Sequence, residues 1–328
     1  MSVFLVRRFL TFVLTLWGAS IIIFTMLEIL PGDPALTILG VDAPDSAVIA
    51  LRQELGLDRP AWERYGDWIA GIVHWELGTS YTYKVPVTEL VAARLEVTVP
   101  LALSAMLLAT AIALSLGLFA ASRHNKLGDY GVMGFSQLGL AIPDFWFGIL
   151  LIIAFAILPN YCLPGLGAVC QFVQLPAGGF PGWEEGPAAV ARALVLPVAA
   201  LTLSLAAILT RITRSSVLEV WREDFVRTAR AKGLPRRATL WRHVLRNALI
   251  PVVTIMGLMF ANAMAGTIVI ENVFTLPGVG RLIFDAISNR DLEVVKNVVL
   301  MLAGLVVIVN FIVDLLYAVI DPRIRVGG

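Results

Sequence analysis

Residues able to do covalent or metal chemistry are few in this chain and poorly spaced for it. The three histidines, His74, His124 and His243, fall in separate segments with no H-E-x-x-H spacing, and Cys162 and Cys170 form no C-x-x-C pair. Zinc sites need three or four such ligands held close together, so each histidine reads as an ordinary polar side chain. None of the lysines (84, 126, 232 and 296) follows a glycine, so no G-x-x-x-x-G-K-[ST] loop is available to cradle a nucleotide. No acid pair or nucleophile motif lies within an apolar stretch. Two features remain. Asp144 is a lone carboxylate directly after Pro143 in apolar surroundings. The stretch "DFVRTARAKGLPRRATLWRHVLRNALIP" (224–251) carries seven Lys or Arg and one acid.

The elements that position these features are set by the solvent. The chain has 328 residues, 58% of them hydrophobic and only 15% charged, with a mean hydropathy of +0.83. Soluble domains carry about 25% charged residues, so this chain reads as a lipid-embedded protein. A net charge of +1 argues against nucleic acid as a partner.

A helix needs about 20 apolar residues to cross the hydrocarbon. Six windows qualify, roughly 9–30, 97–121, 131–158, 193–213, 249–270 and 297–320. Unpaired backbone has no water to bond at that depth, so these are helices and the fold class is all-α. Lys and Arg concentrate at the amino terminus, near 122–130, across 211–247 and in the tail, which hold 16 of the 25 basic residues. The positive-inside rule then predicts that both termini are cytoplasmic. Arg7-Arg8 precedes an apolar run of 22 residues, too long for a signal-peptide core, so it reads as an uncleaved first span.

The expected organisation is 1–30 as cytoplasmic start and first span, 31–96 as an external segment with amphipathic helices, and 97–328 as a five-helix core. That core has an external loop at 159–192 and a cytoplasmic loop at 214–248. Small residues recur every four positions at Ala105, Ala109, Ala113, Gly117 and Ala121, and again at Gly257, Ala261 and Ala265. Both strips read as close-packing faces. In "PAWERYGDWIAGIVHW", Trp62, Tyr65, Ile69 and Ile72 share a face opposite Glu63, Arg64 and Asp67, which suits the membrane–water boundary. Cys162 and Cys170 form either a loop-closing disulfide or two free thiols.

The basic stretch divides into two helices. The first stops at Gly233, a natural C′ residue, and the second begins near Pro235. Val217, Trp221, Phe225 and Ala229 form an apolar edge, while Arg227, Arg230, Lys232, Arg236 and Arg237 crowd the bend. Contact with anionic headgroups would explain the charge. It would not explain the small residues Thr228-Ala229, Ala231 and Gly233 beside the turn, which suit close approach by another protein.

This stretch resembles the cytoplasmic coupling ("EAA") loop of ABC-transporter permeases, in the dipeptide, oligopeptide and nickel import branch. "EDFVRTARAKGL" and "RNALIPVVT" stand nearly as that branch has them. Further matches run the length of the chain: "LPGDPA" (30–35), "ELGLDRP" (54–60), "LGTSY" (77–81), "AIPDFWFGILL" (141–151), "TRSSVLEV" (213–220), "ENVFTLPGVGRL" (271–282) and "DPRIR" (321–325). The broader family's Glu-Ala-Ala is here Arg227-Thr228-Ala229. The 159–192 loop has no fixed counterpart in the branch.

The resemblance implies a type I ABC importer permease fold with six transmembrane helices in the bacterial inner membrane. It implies a heterodimer with a second, homologous permease, two cytoplasmic ABC ATPase subunits that bind ATP and Mg, and a periplasmic or lipid-anchored substrate-binding protein. The chain itself would bind no cofactor and no metal and would not be an enzyme. Asp224, Phe225, Arg227, Thr228, Ala229, Arg230, Ala231, Lys232 and Gly233 become the expected ATPase-coupling contact. The branch carries di- and oligopeptides, and also nickel, glutathione and opine-like compounds.

Other residues take expectations from their positions. Asp144, beside Pro143 in the third span, either lines the translocation path or pairs with a neighbouring helix. Glu271 and Asn272 are candidates for an outer gate or for ordinary interfacial polarity. Asp314 and Arg211 or Arg214 suggest an ion pair at the inner ends of the last and fourth spans. A secondary transporter is the rival by composition, but it should show repeats and paired broken spans, which are not found.

Overall fold

The computed structural model describes residues 2–29, 33–40, 42–161 and 174–320. Cys162 and Cys170 lie outside them, as does the tail from Asp321. In chain order the helices are α1 (Ser2–Ile29), α2 (Pro34–Leu39), α3 (Asp45–Glu54), α4 (Ala61–Val73), α5 (Val87–Ser122), α6 (Leu127–Ala141) and α7 (Asp144–Ile152). They continue with α8 (Pro187–Trp221), α9 (Asp224–Ala231), α10 (Arg236–Thr239), α11 (Leu245–Val273), α12 (Val279–Ser288) and α13 (Leu292–Ile320). Among the described residues no strand forms beyond a single bridge between Thr79 and Pro86.

Five helices are long and apolar enough to cross a membrane: Val6–Ile29, Val87–Ser122, Pro187–Trp221, Arg236–Val273 and Leu292–Ile312. The third span, which Pro143 is expected to bend, is broken there. It is α6 followed by α7 and its continuation to Ile157, bent by 95°. The cause is local: Pro143 has no N–H to donate and forces Ile142 out of helical geometry, to φ −91° and ψ 120°. Each arm is about 21–22 Å long at 1.5 Å per residue, too short to cross alone.

The chain forms two compact units. The first comprises residues 1–98 and 277–311. Within it α4 packs through Tyr65, which belongs to the expected face, and through Trp68, which does not; Trp68 is 6% exposed, while Trp62 of the expected face is 73% exposed. Phe24 of α1 lies against both packed rings, at 5.4 Å from Tyr65 and 6.0 Å from Trp68. The Trp68 indole N–H donates to Asn297 Oδ1 at 2.9 Å, and Asn297 Nδ2 donates to the Leu77 carbonyl at 2.8 Å. Asp291 then accepts from the Ser80 hydroxyl at 2.5 Å and the Thr82 amide at 3.0 Å. The "LGTSY" turn is thereby tied to the start of α13. Burial, reinforced by the Glu293 carboxylate, pushes the Tyr81 phenol above its ordinary pKa, so it stays a donor to Glu293 at 3.2 Å. Asp33 caps α2 through the Ala35 amide and pairs with Arg52 at 2.8 Å, giving the Asp of "LPGDPA" a structural role.

The second unit comprises residues 99–276 and 312–328. Its centre is α8, against which α5, α6, α7 and α11 pack. The alanine strip of α5 is buried as expected, with Ala105 and Ala109 at 0% exposure. Thr202 bonds the Ala105 carbonyl at 3.4 Å, and a Cβ on Gly117 would lie 2.7 Å from Thr213. The two contacts advance together along both helices, so α5 and α8 run parallel and Ser122 and Trp221 share one end. On α11 the packed face runs through Val252, Met259, Ala263 and Thr267, while Ala265 is exposed. The expected Gly257–Ala261–Ala265 strip is therefore not the packing face, although Ala261 itself is buried.

Candidate functional site: the α9 elbow

After Trp221 the chain leaves α8, turns at Arg222 and Glu223, and re-enters helix at Asp224. That break shifts the apolar register. The buried residues of α9 are Val226 (1% exposed) and Ala229 (8%), while Phe225, expected to share one apolar edge with Ala229, is 44% exposed. Val226 joins Val217, Ala121, Val244 and Ala248 in one apolar cluster, edged by Leu118, Trp221 and Leu240. The inner face of α9 is thus fixed to the ends of α5 and α8 and the start of α11.

The outer face is free of such packing. Asp224, Phe225, Arg227, Thr228, Arg230, Ala231, Lys232 and Gly233 are all exposed. Thr228 Oγ1 bonds back to the Asp224 carbonyl at 2.9 Å, and Arg227 reaches Asp224 at 3.3 Å. The helix ends as expected: Gly233 takes φ +87°, which an L side chain adopts only under strain, and Leu234 N closes the turn onto the Ala229 carbonyl at 3.3 Å. Pro235 is the N-cap of α10 rather than its first residue.

Two recesses flank the elbow. One, of about 410 Å³, is bordered by Glu219, Glu223, Asp224 and Arg222. The other, of about 470 Å³, has a floor of Leu218, Trp221 and Leu240 and a rim of Arg222, Arg236 and Arg237.

The side chain of Asp314, expected to pair with Arg211 or Arg214, lies outside the described set. Arg214 holds Asp129 at two points, 2.6 and 2.7 Å, and Asp129 also accepts the Asn125 amide at 3.0 Å. Arg211 is exposed. Sequence reasoning missed Asp129; the available signal was a single acid in the otherwise basic 122–130 loop.

Asp144 opens α7 beside Ser204 of α8. Its Oδ1 is buried with no partner among the described residues. Beyond it, α7 packs at Gly148, where a Cβ would come 3.0 Å from the Phe274 ring. Phe274 is fully buried, and its carbonyl accepts the Gly179 amide at 2.8 Å. Glu271 and Asn272 are not brought together: Glu271 is fully buried, while Asn272 is exposed and bonds the Ile268 carbonyl of its own helix at 2.8 Å.

Comparison with known proteins identifies the chain's family. Residues 113–326 match the model of the binding-protein-dependent transport system inner membrane component, and residues 1–102 match the N-terminal model of such membrane components. The chain is 38% identical over 325 residues to the probable peptide ABC transporter permease protein y4tP of Sinorhizobium fredii, covering 99% of this chain and 100% of that one. It is also 38% identical over 334 residues to the dipeptide transport system permease protein DppB of Escherichia coli, covering 98% of each. A crystal structure of an amino acid ABC transporter with histidines aligns with 72% of this chain and 94% of that one, at a TM-score of 0.48 and 15% identity. Family models over both halves and full-length relatives agree: the chain belongs to the inner-membrane components of binding-protein-dependent transport systems, as a multi-pass ABC importer permease.

Proposed function

We propose that this permease carries di- or oligopeptides inward and is driven through the outer face of α9. The peptide assignment is supported by the relatives, whose names specify peptide and dipeptide transport. Nickel, glutathione and opine-like compounds are the alternatives within the branch. The chain pairs with a second, homologous permease, receives cargo from a substrate-binding protein, and rests on two ATPases that hold ATP and Mg. Both termini and the α9 elbow face the cytoplasm.

One observation carries the coupling role. The inner face of α9 is packed into the ends of three long helices while its outer face is bare. A force applied to the outer face must therefore reach α5, α8 and α11 together. With no phosphate loop in the sequence, work has to arrive by contact. ATP binding shifts the spans only as far as the ATPases grip α9 differently in the two states.

The test is site-directed cross-linking in membranes carrying the full importer. Cysteines at Thr228 and Lys232, both exposed, are expected to cross-link to the ATPases, and a cysteine at buried Val226 is not. Absence of cross-links from both exposed positions, in a complex that still hydrolyses ATP on addition of peptide, would refute the coupling assignment.

A further inference from the structure

Leu218, Trp221 and Leu240 serve two neighbouring surfaces. They pack against the buried cluster that seats Val226 of α9. The same three residues floor the groove whose rim carries Arg222, Arg236 and Arg237. The groove is thus one apolar layer away from the packing of α9. All three arginines are exposed, and no ion pair engages them among the described residues. Arg236 is the one held in place, with its guanidinium carbon 5.3 Å from the centre of the Trp221 ring. The acids nearest in sequence, Glu219, Glu223 and Asp224, border the separate recess, and none of them lines this groove. Every one of the named groove residues lies in the 214–248 loop, outside the expected spans 193–213 and 249–270, where a soluble protein can reach them.

We infer that this groove receives an acidic segment of the ATPase, with carboxylates against the arginine rim and an apolar side chain on the floor. The inference deepens the coupling role proposed above and rests on its placing an ATPase against the outer face of α9. Charge selects the occupant's chemistry. A guanidinium takes a carboxylate in a two-point hydrogen bond, and this chain supplies none to the groove. Continuity selects the ATPase as its source. A protein surface that covers α9 stands beside the groove, because one apolar layer supports both. The composition also suits a protein contact, since arginine and tryptophan are the residue types that carry most binding energy at such contacts. An inorganic anion would meet the rim and leave the floor uncovered. The groove then adds specificity to the force transmitted through α9: an ATPase with basic residues at the matching position is repelled, and one with acids is held in register.

The experiment uses the whole importer in its membranes, with a photoreactive benzophenone side chain in place of Ser122, an exposed residue that lines the groove. Irradiation is expected to join the permease to an ATPase. Mass spectrometry of the joined peptides is expected to find two or more Asp or Glu in the ATPase stretch that is caught. Arg236→Gln with Arg237→Gln should lower the yield of that product about fivefold, as for two lost surface charge pairs. The same variant should lose most of the sensitivity of the yield to added salt. Arg236→Lys with Arg237→Lys should keep both yield and salt sensitivity, which separates charge from folding. A product with lipid or with the second permease in place of the ATPase would overturn the inference. So would an ATPase stretch without acids, or a yield unchanged in the Gln variant. The same photoreactive group at Thr228 reports the coupling contact separately. A product at Thr228 with none at Ser122 removes the groove alone, and absence at both positions removes the coupling role together with it.

Discussion

Arg214 grips Asp129 at both carboxylate oxygens, 2.6 and 2.7 Å, and so ties the first turn of α6 to the last two turns of α8. The Asp129 side chain is 1% exposed and that of Arg214 20%. The helix that feeds the elbow is thereby joined to the arm that leads to the break at Pro143.

Breaking that pair from one side strands the other charge. Asp129→Asn should destabilise the complex by about 3 kcal/mol, because a largely buried guanidinium loses its partner. Asp129→Asn with Arg214→Gln should recover part of the loss, since neither charge is then left alone. Thermal melting of the purified complex checks both. The pair Arg227–Asp224 is the contrast: its side chains are 74% and 94% exposed, and Arg227→Ala should cost under about 0.5 kcal/mol. Equal losses at the two sites would contradict this account of burial.

Gly233 offers a sharper probe of the elbow. A Cβ placed there meets nothing within 4 Å, so a side chain projects outward from a turn held at φ +87°. Gly233→Trp should leave membrane insertion intact and lower peptide-stimulated ATP hydrolysis by at least about tenfold, roughly 1.4 kcal/mol of lost coupling contact. Gly233→Ala applies the backbone strain without the bulk and should have the smaller effect. Full coupled turnover in the Trp variant would remove the elbow from the contact.

Much of this was legible in residue order, and the misses have physical causes. The positions of the apolar spans, the stop at Gly233 and the bend at Pro143 follow from local chemistry: apolar runs, φ freedom and a missing N–H. Val226 was missed because a spacing of four from Val217 to Ala229 assumes an unbroken helix, and the chain breaks at Arg222–Glu223. Arg214–Asp129 and Trp68–Asn297 join residues 85 and 229 apart in sequence. Such partners are chosen by tertiary packing, which no local periodicity records.

Asn297 supports a prediction away from the elbow. It is 4% exposed and serves both the Trp68 indole and the Leu77 carbonyl, so Asn297→Leu leaves a buried donor and a half-buried acceptor unmet. Each unmet group costs about 1–3 kcal/mol. The 31–96 segment should then become more sensitive to added protease in the folded complex, with the ATPase contact unaffected. Unchanged proteolysis would mean that the aromatic packing of Phe24, Tyr65 and Trp68 suffices without the amide.

Asp144 separates a transport role from a structural one. Its Oδ1 is buried and unpartnered, beside a 95° break and within reach of Ser204. A carboxylate with a free acceptor at such a break is suited to meet a cationic group passing along the path, such as a peptide's ammonium or a lysine side chain. Asp144→Asn keeps the shape and the Ser204 neighbour but removes the charge. Import of lysine-containing peptides should fall by about tenfold relative to peptides lacking a cationic side chain, which corresponds to one charge-assisted hydrogen bond of roughly 1.5 kcal/mol. A structural carboxylate would instead lower transport of both classes alike and depress complex stability. Measuring uptake of the two peptide classes in the same proteoliposomes distinguishes the cases, and equal uptake ratios in wild type and variant would take Asp144 off the path.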